Sequence, residues 1–348
     1  MRPHMADKKV LLGHGSGGKL SHQLVASVFL PSFANPALDA LDDSAVLSSL
    51  TGKPRAESDG RLAFTTDSYV VKPLFFPGGD IGRLAVCGTV NDLSMVGAAP
   101  LYLTAGFVIE EGLSISTLRR VAASMRRAAR EAGVKIVAGD TKVVERGGAD
   151  GLFINTAGIG LIPRGVSLSG AGARPGDAVI LSGTTGDHGI AVIAEREGLS
   201  FKHNLKSDVA PLNKLVAAML RASPNIHAMR DPTRGGVATT LNEIAQQSRV
   251  AIRIKEEAIP IRQEVAAACE MLGFDPLYVA NEGKLIACLA RQDALKVLEA
   301  MRRNKYGRDA AIIGEVLPEP KGRVLLATRV GGTRIVDMLA GEMLPRIC

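Results

Sequence analysis

The stretch STLRRVAASMRRAAREAGVKIVAGDTK, residues 116–142, joins an amphipathic helix to a strand that ends in charged residues. Apolar residues recur at helical spacing over 116–131, which predicts a helix with one buried face, and Gly133 is a typical helix-ending residue. The apolar run from Val134 predicts a short buried strand that leads into the polar segment 139–142. The buried stripe of the helix comprises Leu118, Val121, Met125 and Ala128 or Ala129.

Strands and helices continue on both sides of this unit and predict an α/β (α+β) protein with two domains. The order helix, strand, strand over 115–162 returns over 293–328, which indicates a weak internal repeat. Between them, the Gly-, Ser- and Pro-rich residues 163–176 are typical of a domain boundary. The predicted organisation is a Gly-rich N-terminal segment (1–40), an N-terminal domain (41–163), a C-terminal domain (175–330) and a mobile tail (331–348).

The composition of the 348 residues is that of an ordinary globular protein, with 46% hydrophobic and 22% charged residues. Aromatic residues make up only 4% and Trp is absent, which argues against base stacking on nucleic acid. The four cysteines form no C-x-x-C pair, which argues against a zinc site or a disulfide framework. Without a signal peptide or an apolar run of membrane length, we expect a reducing, cytoplasmic setting in which a terminal thiol stays free.

Acidic residues cluster at the ends of predicted elements in the first 142 residues. Carboxylates that converge at strand ends suit Mg²⁺, which prefers oxygen ligands and keeps phosphates in its coordination shell. Taken alone, the Asp42-Asp43 pair fits a surface turn at least as well. The acidic segments are Asp42-Asp43, Thr65-Thr66-Asp67, Asn91-Asp92 and Gly139-Asp140-Thr141-Lys142.

Three glycine-rich segments are candidates for contacts with anions. The loop over 12–19 carries four glycines and Lys19; a phosphate cradle and a flexible linker fit it equally, and the Walker spacing is absent. The loop over 183–189 contains His188, which fits a structural turn, a ligand or an acid–base group. Arg234-Gly235-Gly236 at a predicted helix start combines a positive side chain with free backbone amides.

Taken in order, these segments resemble the aminoimidazole ribonucleotide synthetase (PurM-like) superfamily of ATP-using enzymes, and the resemblance covers essentially the whole chain. The N-terminal Gly loop and the ending Pro345-Arg346-Ile347-Cys348 are similar to the carbamoyl dehydratase family of [NiFe]-hydrogenase maturation. The matching segments are Asp42-Asp43, Thr65-Thr66-Asp67, Asn91-Asp92-Leu93, Gly139-Asp140-Thr141-Lys142, Asp231-Pro-Thr-Arg-Gly-Gly236 and Asn281-Glu282-Gly283.

The resemblance implies a two-domain PurM-like fold, each domain a mixed sheet packed with helices. It implies homodimers that pair their N-terminal sheets, with ATP bound near that interface. It further implies that the HypF carbamoyltransferase loads the terminal cysteine, that the carbamoyl group is dehydrated to a thiocyanate with ATP and Mg²⁺, and that the cyano group passes to iron on the HypC–HypD complex. No nucleic-acid or membrane partner is expected.

The implied chemistry assigns roles to particular residues. Cys348 carries the substrate, Lys142 stabilises the transferring phosphoryl group, and Glu282 takes the proton from nitrogen. A structural ion pair is the alternative for Lys142 and Glu282. The expected magnesium ligands are Asp43, Asp67, Asp92 and Asp140, and Asp42 is the next candidate. The expected nucleotide-binding residues are Asp43, Thr66, Asp67, Asn91, Asp92, Asp140, Thr141, Arg234, Gly235 and Gly236.

The tail is expected to alternate between an inward state near Lys142 and Glu282 and an outward state for loading and delivery. Gly331-Gly332 would be its hinge and residues 335–343 a short helix, while Arg346 would contact the thiolate or a partner. Two alternatives stay open: a related enzyme that phosphorylates a small molecule such as a purine precursor or selenide, and a nucleotide-sensing scaffold with a docking tail. The N-terminal Gly loop has no cysteine, which disfavours the selenium reaction.

Overall fold

The computed structural model describes residues 9–33, 35–47, 60–199, 205–340 and 347–348. An N-terminal helical segment comprises α1 (Lys19–Leu24), a π-helical turn (Val25–Phe29) and α2 (Leu30–Phe33). The N-terminal domain contains β1 (Ala45–Leu47), β2 (Arg61–Tyr69), β3 (Phe75–Phe76), β4 (Gly79–Asp80), α3 (Ile81–Met95), β5 (Ala99–Glu110), α4 (Ile115–Ala132), β6 (Lys135–Val144) and β7 (Leu152–Ile162). Five of these strands form one sheet in the order β1-β2-β7-β5-β6, in which β5 and β6 are parallel.

The C-terminal domain contains a seven-stranded mixed sheet. Its elements are β8 (Ala178–Leu181), α5 (Asp187–Glu197), α6 (Asn213–Ala222), β9 (Ile226–Arg230), α7 (Gly236–Ser248), β10 (Ala251–Lys255), α8 (Gln263–Leu272), β11 (Ile286–Leu289), α9 (Ala294–Arg302), β12 (Ala311–Leu317), β13 (Arg323–Ala327) and β14 (Thr333–Val336). The strand order is β14-β13-β10-β12-β8-β11-β9, with β10 and β13 parallel. Two mixed sheets packed with helices confirm the predicted fold class.

The helix–strand unit over 116–142 forms as predicted, with one correction. The Ser114 hydroxyl accepts from the Thr117 amide at 3.1 Å and caps α4, and Gly133 ends the helix in the left-handed region at φ 82°. The prediction that β6 is buried is wrong, because nine of its ten residues are exposed. β6 lies at the edge of the sheet, and β5 is its strand partner within the described part of the chain.

A strand over Thr333–Val336 lies in the part of the tail where a helix was predicted. Instead of a helix over 335–343, β14 pairs antiparallel with β13, and Gly331-Gly332 forms the intervening turn, with Gly331 at φ 87°. The β-branched residues of Thr333–Val336 favour this strand. Residues 341–346, including Arg346, lie outside the described part of the chain.

The two domains share buried apolar side chains. The core cluster of the N-terminal domain also contains Val192, Val209 and Ala280 of the C-terminal domain, together with Ile347. Polar contacts add to this interface, since the Arg83 guanidinium donates to the Val209 carbonyl at 2.9 Å. A site built between the domains therefore has packed residues of both domains around it. None of the helices in the described ranges is both long and apolar enough to cross a membrane.

Candidate active site

A small cavity of about 30 Å³ lies where β2 and α3 face the loops that precede α7 and β11. We call it the acid chamber. It is far smaller than the roughly 300–1,000 Å³ pockets that enclose whole small-molecule ligands. Its size therefore suits a small chemical group and not a nucleotide. The lining residues are Asp67, Ser68, Gly88, Asp92, Asp231, Thr233, Arg234, Glu282 and Cys348.

Hydrogen bonds connect the chamber to Asp43. The Thr65 hydroxyl oxygen lies 3.0 Å from both the Asp92 carboxylate and the Asp43 backbone carbonyl. The Asp43 carboxylate pairs with Arg230 at 2.9 Å, and Arg230 also lies 3.3 Å from Glu243. Asp43 therefore stands beside the chamber, with its charge partly balanced by one arginine.

The chamber concentrates negative charge. Burial raises the pKa of Asp92 well above its ordinary value, and the neighbouring Asp231, Asp67 and Asp43 raise it further. Burial likewise raises the pKa of Asp43 to about 6, against the opposing effect of Arg230. In the described ranges, no three His, Cys, Asp or Glu side chains are already arranged as a metal site. The crowded carboxylate oxygens nevertheless fit a hard divalent cation, which would relieve their mutual repulsion.

Glu282 is positioned by buried polar contacts. Its backbone amide donates to Asp208 at 3.0 Å, and Asp208 pairs with Lys284 at 2.9 Å. The Glu282 side chain is 3% exposed, and its Oε1 has no hydrogen-bond partner among the described residues. Burial raises the pKa of Glu282 well above the ordinary value, as do Asp231 and Asp67. An orphaned buried carboxyl oxygen of this kind is a candidate proton acceptor.

Cys348 lies in the chamber beside Glu282. Burial raises the pKa of its thiol well above the ordinary value, Glu282 raises it further, and the positive charge of Arg234 opposes both. The thiol is therefore neutral in this position, where it is a poor nucleophile. This environment suits a sulfur that carries a group better than one that attacks.

The N-terminal Gly loop packs against Arg234 and the C-terminal segment. The Arg234 guanidinium donates to the Gly15 carbonyl at 2.8 Å, and the Lys19 amide donates to the Leu339 carbonyl at 2.9 Å. A side chain at Gly18 would place its Cβ 2.3 Å from that Leu339 oxygen. The loop is thus a packed element of the site and not a free linker.

Several residues predicted to bind nucleotide or metal have packing roles in the structure. The Asn91 side chain donates to the Ala210 carbonyl at 3.1 Å and accepts from the Leu212 amide at 2.8 Å, so it joins the domains. Asp42 accepts from the Gly170 amide at 2.7 Å, which ties it to the domain boundary. Thr66 is exposed on the face of β2 opposite Thr65.

The start of α7 carries the predicted anion-binding segment. Arg234 lines the chamber, whereas Gly235 and Gly236 adopt the left-handed region at φ 78° and 61°. A Cβ on Gly236 would lie 2.5 Å from the Leu277 carbonyl oxygen. Close packing therefore accounts for Gly236 independently of any ligand.

Asp140, Thr141 and Lys142 are not among the residues that line the chamber. They lie on the exposed strand β6, where Lys142 pairs with Asp140 at 2.9 Å and their side chains are 70% and 72% exposed. The hydrogen bond from Lys142 lowers the pKa of Asp140, and the Thr141 amide contributes. Within one described chain, the structure thus brings together Asp67, Asp92, Arg234, Glu282 and Cys348 but leaves this segment in solvent.

The structure adds two residues that sequence reasoning did not assign to the site. Asp231 lines the chamber; it stands in the segment Asp231–Gly236, whose charged residues were the available signal. His188 is fully buried, and its Nε2 lies 2.8 Å from the Ile347 carbonyl oxygen. Its position in the second Gly-rich loop gave no indication of a contact with the chain end, 159 residues away.

Comparison with known proteins gives consistent matches over almost the whole chain. Residues 41–162 match the N-terminal domain of AIR synthase related proteins and residues 174–327 match the C-terminal domain. The carbamoyl dehydratase HypE of Rhizobium leguminosarum bv. viciae is 55% identical over 345 residues, covering 99% of this chain and 96% of that protein.

Two solved structures are similarly close. A HypE in complex with ATP is 51% identical, with a TM-score of 0.80 and coverage of 98% of this chain and 100% of that one. A HypE–HypF complex gives 51% identity and a TM-score of 0.84, with coverage of 91% and 99%. The chain belongs to the carbamoyl dehydratase HypE family, within the AIR synthase related (PurM-like) proteins.

Proposed function

We propose that this protein dehydrates a carbamoyl group carried on its own Cys348 to a thiocyanate at the expense of ATP. The observation that carries the proposal is the seating of Cys348 in the acid chamber beside the orphaned carboxyl oxygen of Glu282. The relatives' names add support, since they are carbamoyl dehydratases and one was solved with ATP.

The reaction removes one water from a thiocarbamate amide. Oxide is a poor leaving group, so the amide oxygen first attacks the γ-phosphorus of ATP and ADP departs. The nitrogen then loses its protons, the C–N bond order rises to three, and the C–O bond breaks to release phosphate. One of the two protons leaves through Glu282 and the other ends on the phosphate. The products are therefore the thiocyanate on Cys348, ADP, hydrogen phosphate and one proton, so atoms and charge balance.

Glu282 and Arg234 suit the two halves of this chemistry. A carboxylate whose pKa is raised by burial is a stronger base once it is ionised, so Glu282 can accept the proton from nitrogen. The Arg234 cation beside Cys348 favours negative charge on the amide oxygen and on the arriving phosphoryl group.

Magnesium fits the remaining acidic side chains. Asp43, Asp67 and Asp92 would hold it, and Asp231 is a further oxygen donor in the same chamber. When bound, Mg²⁺ would neutralise phosphate charge. Burial, and after it the neighbouring carboxylates, raise the pKa of Asp92 and Asp231, and a bound cation would favour their ionised forms.

A homodimer would complete the site. β6 exposes apolar side chains, with Val137 59% and Val143 67% exposed, next to Asp140 and Lys142. We propose that a second copy covers this edge and that Lys142 acts at the Cys348 of the other subunit. The expected pairing of the N-terminal sheets is supported by this uncovered apolar strand.

Loading and delivery require the sulfur to leave the chamber. A related HypE was solved in complex with HypF, and we propose HypF as the carbamoyl donor here. The cyano group would then pass to iron on the HypC–HypD complex.

The decisive test is mass spectrometry of the tail peptide. The protein is incubated with HypF, carbamoyl phosphate and ATP, and we expect a carbamoyl adduct on Cys348 followed by the loss of one water. Cys348→Ala should show neither, and Cys87→Ala, which changes a buried core cysteine, should show both. Dehydrated product on the Cys348→Ala protein, or phosphorylation of a small molecule that survives deletion of residues 344–348, would refute the proposal.

A further inference from the structure

The peptide that precedes Cys348 is held in two ways. The Ile347 side chain is 4% exposed and belongs to the core cluster that contains Phe76 and Val209. The Ile347 carbonyl oxygen lies 2.8 Å from Nε2 of His188. Because a carbonyl oxygen only accepts hydrogen bonds, Nε2 carries the proton and donates it.

The orientation of His188 is fixed by residues outside the tail. Its Nδ1 lies 2.8 Å from the Ser207 hydroxyl, which donates because burial lowers the pKa of His188 and keeps the ring neutral. The Ser207 oxygen in turn accepts from the Val209 amide at 3.1 Å. The Phe76 ring meets the imidazole edge-on, with centroids 5.4 Å apart. The donor is therefore preorganised before the tail arrives.

We propose that His188 is a positioning residue that seats the tail: by donating to the Ile347 carbonyl, it holds Cys348 in the acid chamber. The proposal rests on the proposed function, in which that sulfur carries the reacting group. Fixing the planar peptide between Ile347 and Cys348 leaves only a few torsions between the anchor and the sulfur. Such restriction maintains the group on sulfur at reacting distance.

A single neutral hydrogen bond is a suitable anchor for a segment that must also leave. Its net contribution corresponds to a factor of about five to ten in the ratio of seated to released tail. A charged pair buried at the same place would resist release more strongly. The His188–Ile347 contact thus combines exact placement with reversibility.

The test measures how fast Cys348 reacts with iodoacetamide in the full-length protein, by mass spectrometry of the tail peptide. His188→Ala should raise the alkylation rate about five- to tenfold. His188→Gln presents an amide N–H near the position of Nε2 and should restore a rate close to wild type. His227→Ala is the matched control, because His227 is a partly buried histidine paired with Asp177 and outside the chamber.

A second readout follows a single turnover of carbamoylated protein. His188→Ala should slow dehydration by a similar factor, whereas the ATP concentration for half-maximal rate should stay unchanged. The proposal would be overturned if Cys348 of His188→Ala were alkylated at the wild-type rate, or if His188→Ala and His188→Gln raised the alkylation rate equally. If His188→Ala does not fold, Ser207→Ala takes its place: faster alkylation is expected, and an unchanged rate would overturn the proposal.

Alkylation requires neither ATP nor HypF, so the two proposals fail separately. Slower alkylation of wild type than of His188→Ala, with no dehydration by either, would refute the function and leave the seating intact. Normal dehydration with identical alkylation rates would refute the seating alone.

Discussion

The acid chamber and the β6 segment Asp140–Lys142 each place carboxylates near a basic side chain, but in opposite surroundings. In the chamber, burial and neighbouring carboxylates raise the pKa of Asp92 and Glu282. On β6, a hydrogen bond from Lys142 lowers the pKa of Asp140 in a fully solvated position. The first region is tuned by its own fold, whereas the second has the ordinary chemistry of a surface ion pair.

Under the proposed dimer, this difference separates what one chain does alone from what a second chain would complete. The chamber already sets the protonation states of its carboxyl and thiol groups. The β6 segment acquires a comparable environment only when another surface covers it, since solvent screens exposed charges. A substitution of the proton acceptor in the chamber should therefore abolish dehydration at that Cys348 whichever copy is its partner. A substitution in the β6 segment should be corrected by a partner copy that retains Lys142.

The largest effect is expected for Glu282→Gln in the chamber. The substitution preserves size but removes the proton acceptor, and general base catalysis is worth about 10²–10⁴ in rate. We expect single-turnover thiocyanate formation on Cys348 to fall by about that factor. Because the pKa of Glu282 is raised, the wild-type rate should climb with pH as the carboxyl ionises, and this limb should vanish in the variant.

The matched control is Glu257→Gln, which removes an exposed carboxylate that has no role in the proposed reaction. Its rate and pH profile should equal those of wild type. A Glu282→Gln protein that retains more than a tenth of the rate would assign the base to another residue, with Asp231 the next candidate.

The β6 half of the comparison is tested by mixing subunits. Lys142→Ala and Cys348→Ala proteins are each expected to be inactive. Mixed and allowed to exchange, they should recover about a quarter of wild-type activity, because half of the dimers are mixed and each has one complete site. Scattering at the same concentration checks the dimer. No recovery despite subunit exchange would place Lys142 at the cysteine of its own chain.

The sequence predicts those elements of the fold that depend on residues close together in the chain. The apolar stripe and Gly133 predict α4 correctly, because helix periodicity and helix-ending residues act within a few turns. They could not show that β6 is exposed, since an apolar strand at the edge of a sheet can have the same composition as a buried one. Adjacent residues also diverge: Asn91 joins the domains and Asp92 lines the chamber, a distinction set by contacts more than 100 residues away.

The burial of Asp43 beside the chamber predicts a pH-dependent stability. The pKa of Asp43 is raised from 3.8 to about 6 in the folded state, so the folded protein binds more protons than the unfolded one between these values. Stability therefore falls as pH rises through that window, in protein freed of divalent cations. Asp43→Asn should flatten the slope measured by urea denaturation, and Asp309→Asn, at an exposed position, should not.

Added Mg²⁺ should offset the same loss. At about 100-fold excess over its Kd, a ligand of the folded state adds about 2.7 kcal/mol. The gain should be larger at pH 8 than at pH 5, where fewer carboxylates are ionised, and should shrink in Asp43→Asn. Equal stabilisation of both proteins at both pH values would mean that Mg²⁺ binds elsewhere.

The smallest expected effect concerns stability at β6. Lys142→Met removes half of an exposed ion pair, and such pairs contribute little to folding, so the urea midpoint should match that of wild type while dehydration is lost. Lys284→Met provides the buried counterpart: it leaves Asp208 unpaired behind Glu282 and should cost about 3–5 kcal/mol. Because protein concentration would affect the stability of the proposed dimer, both variants are compared with wild type at one concentration. A large loss of stability in Lys142→Met would mean that β6 already packs against a partner that folding requires. The β6 segment would then contribute to folding as well as to the reaction, and the contrast with the chamber would no longer hold.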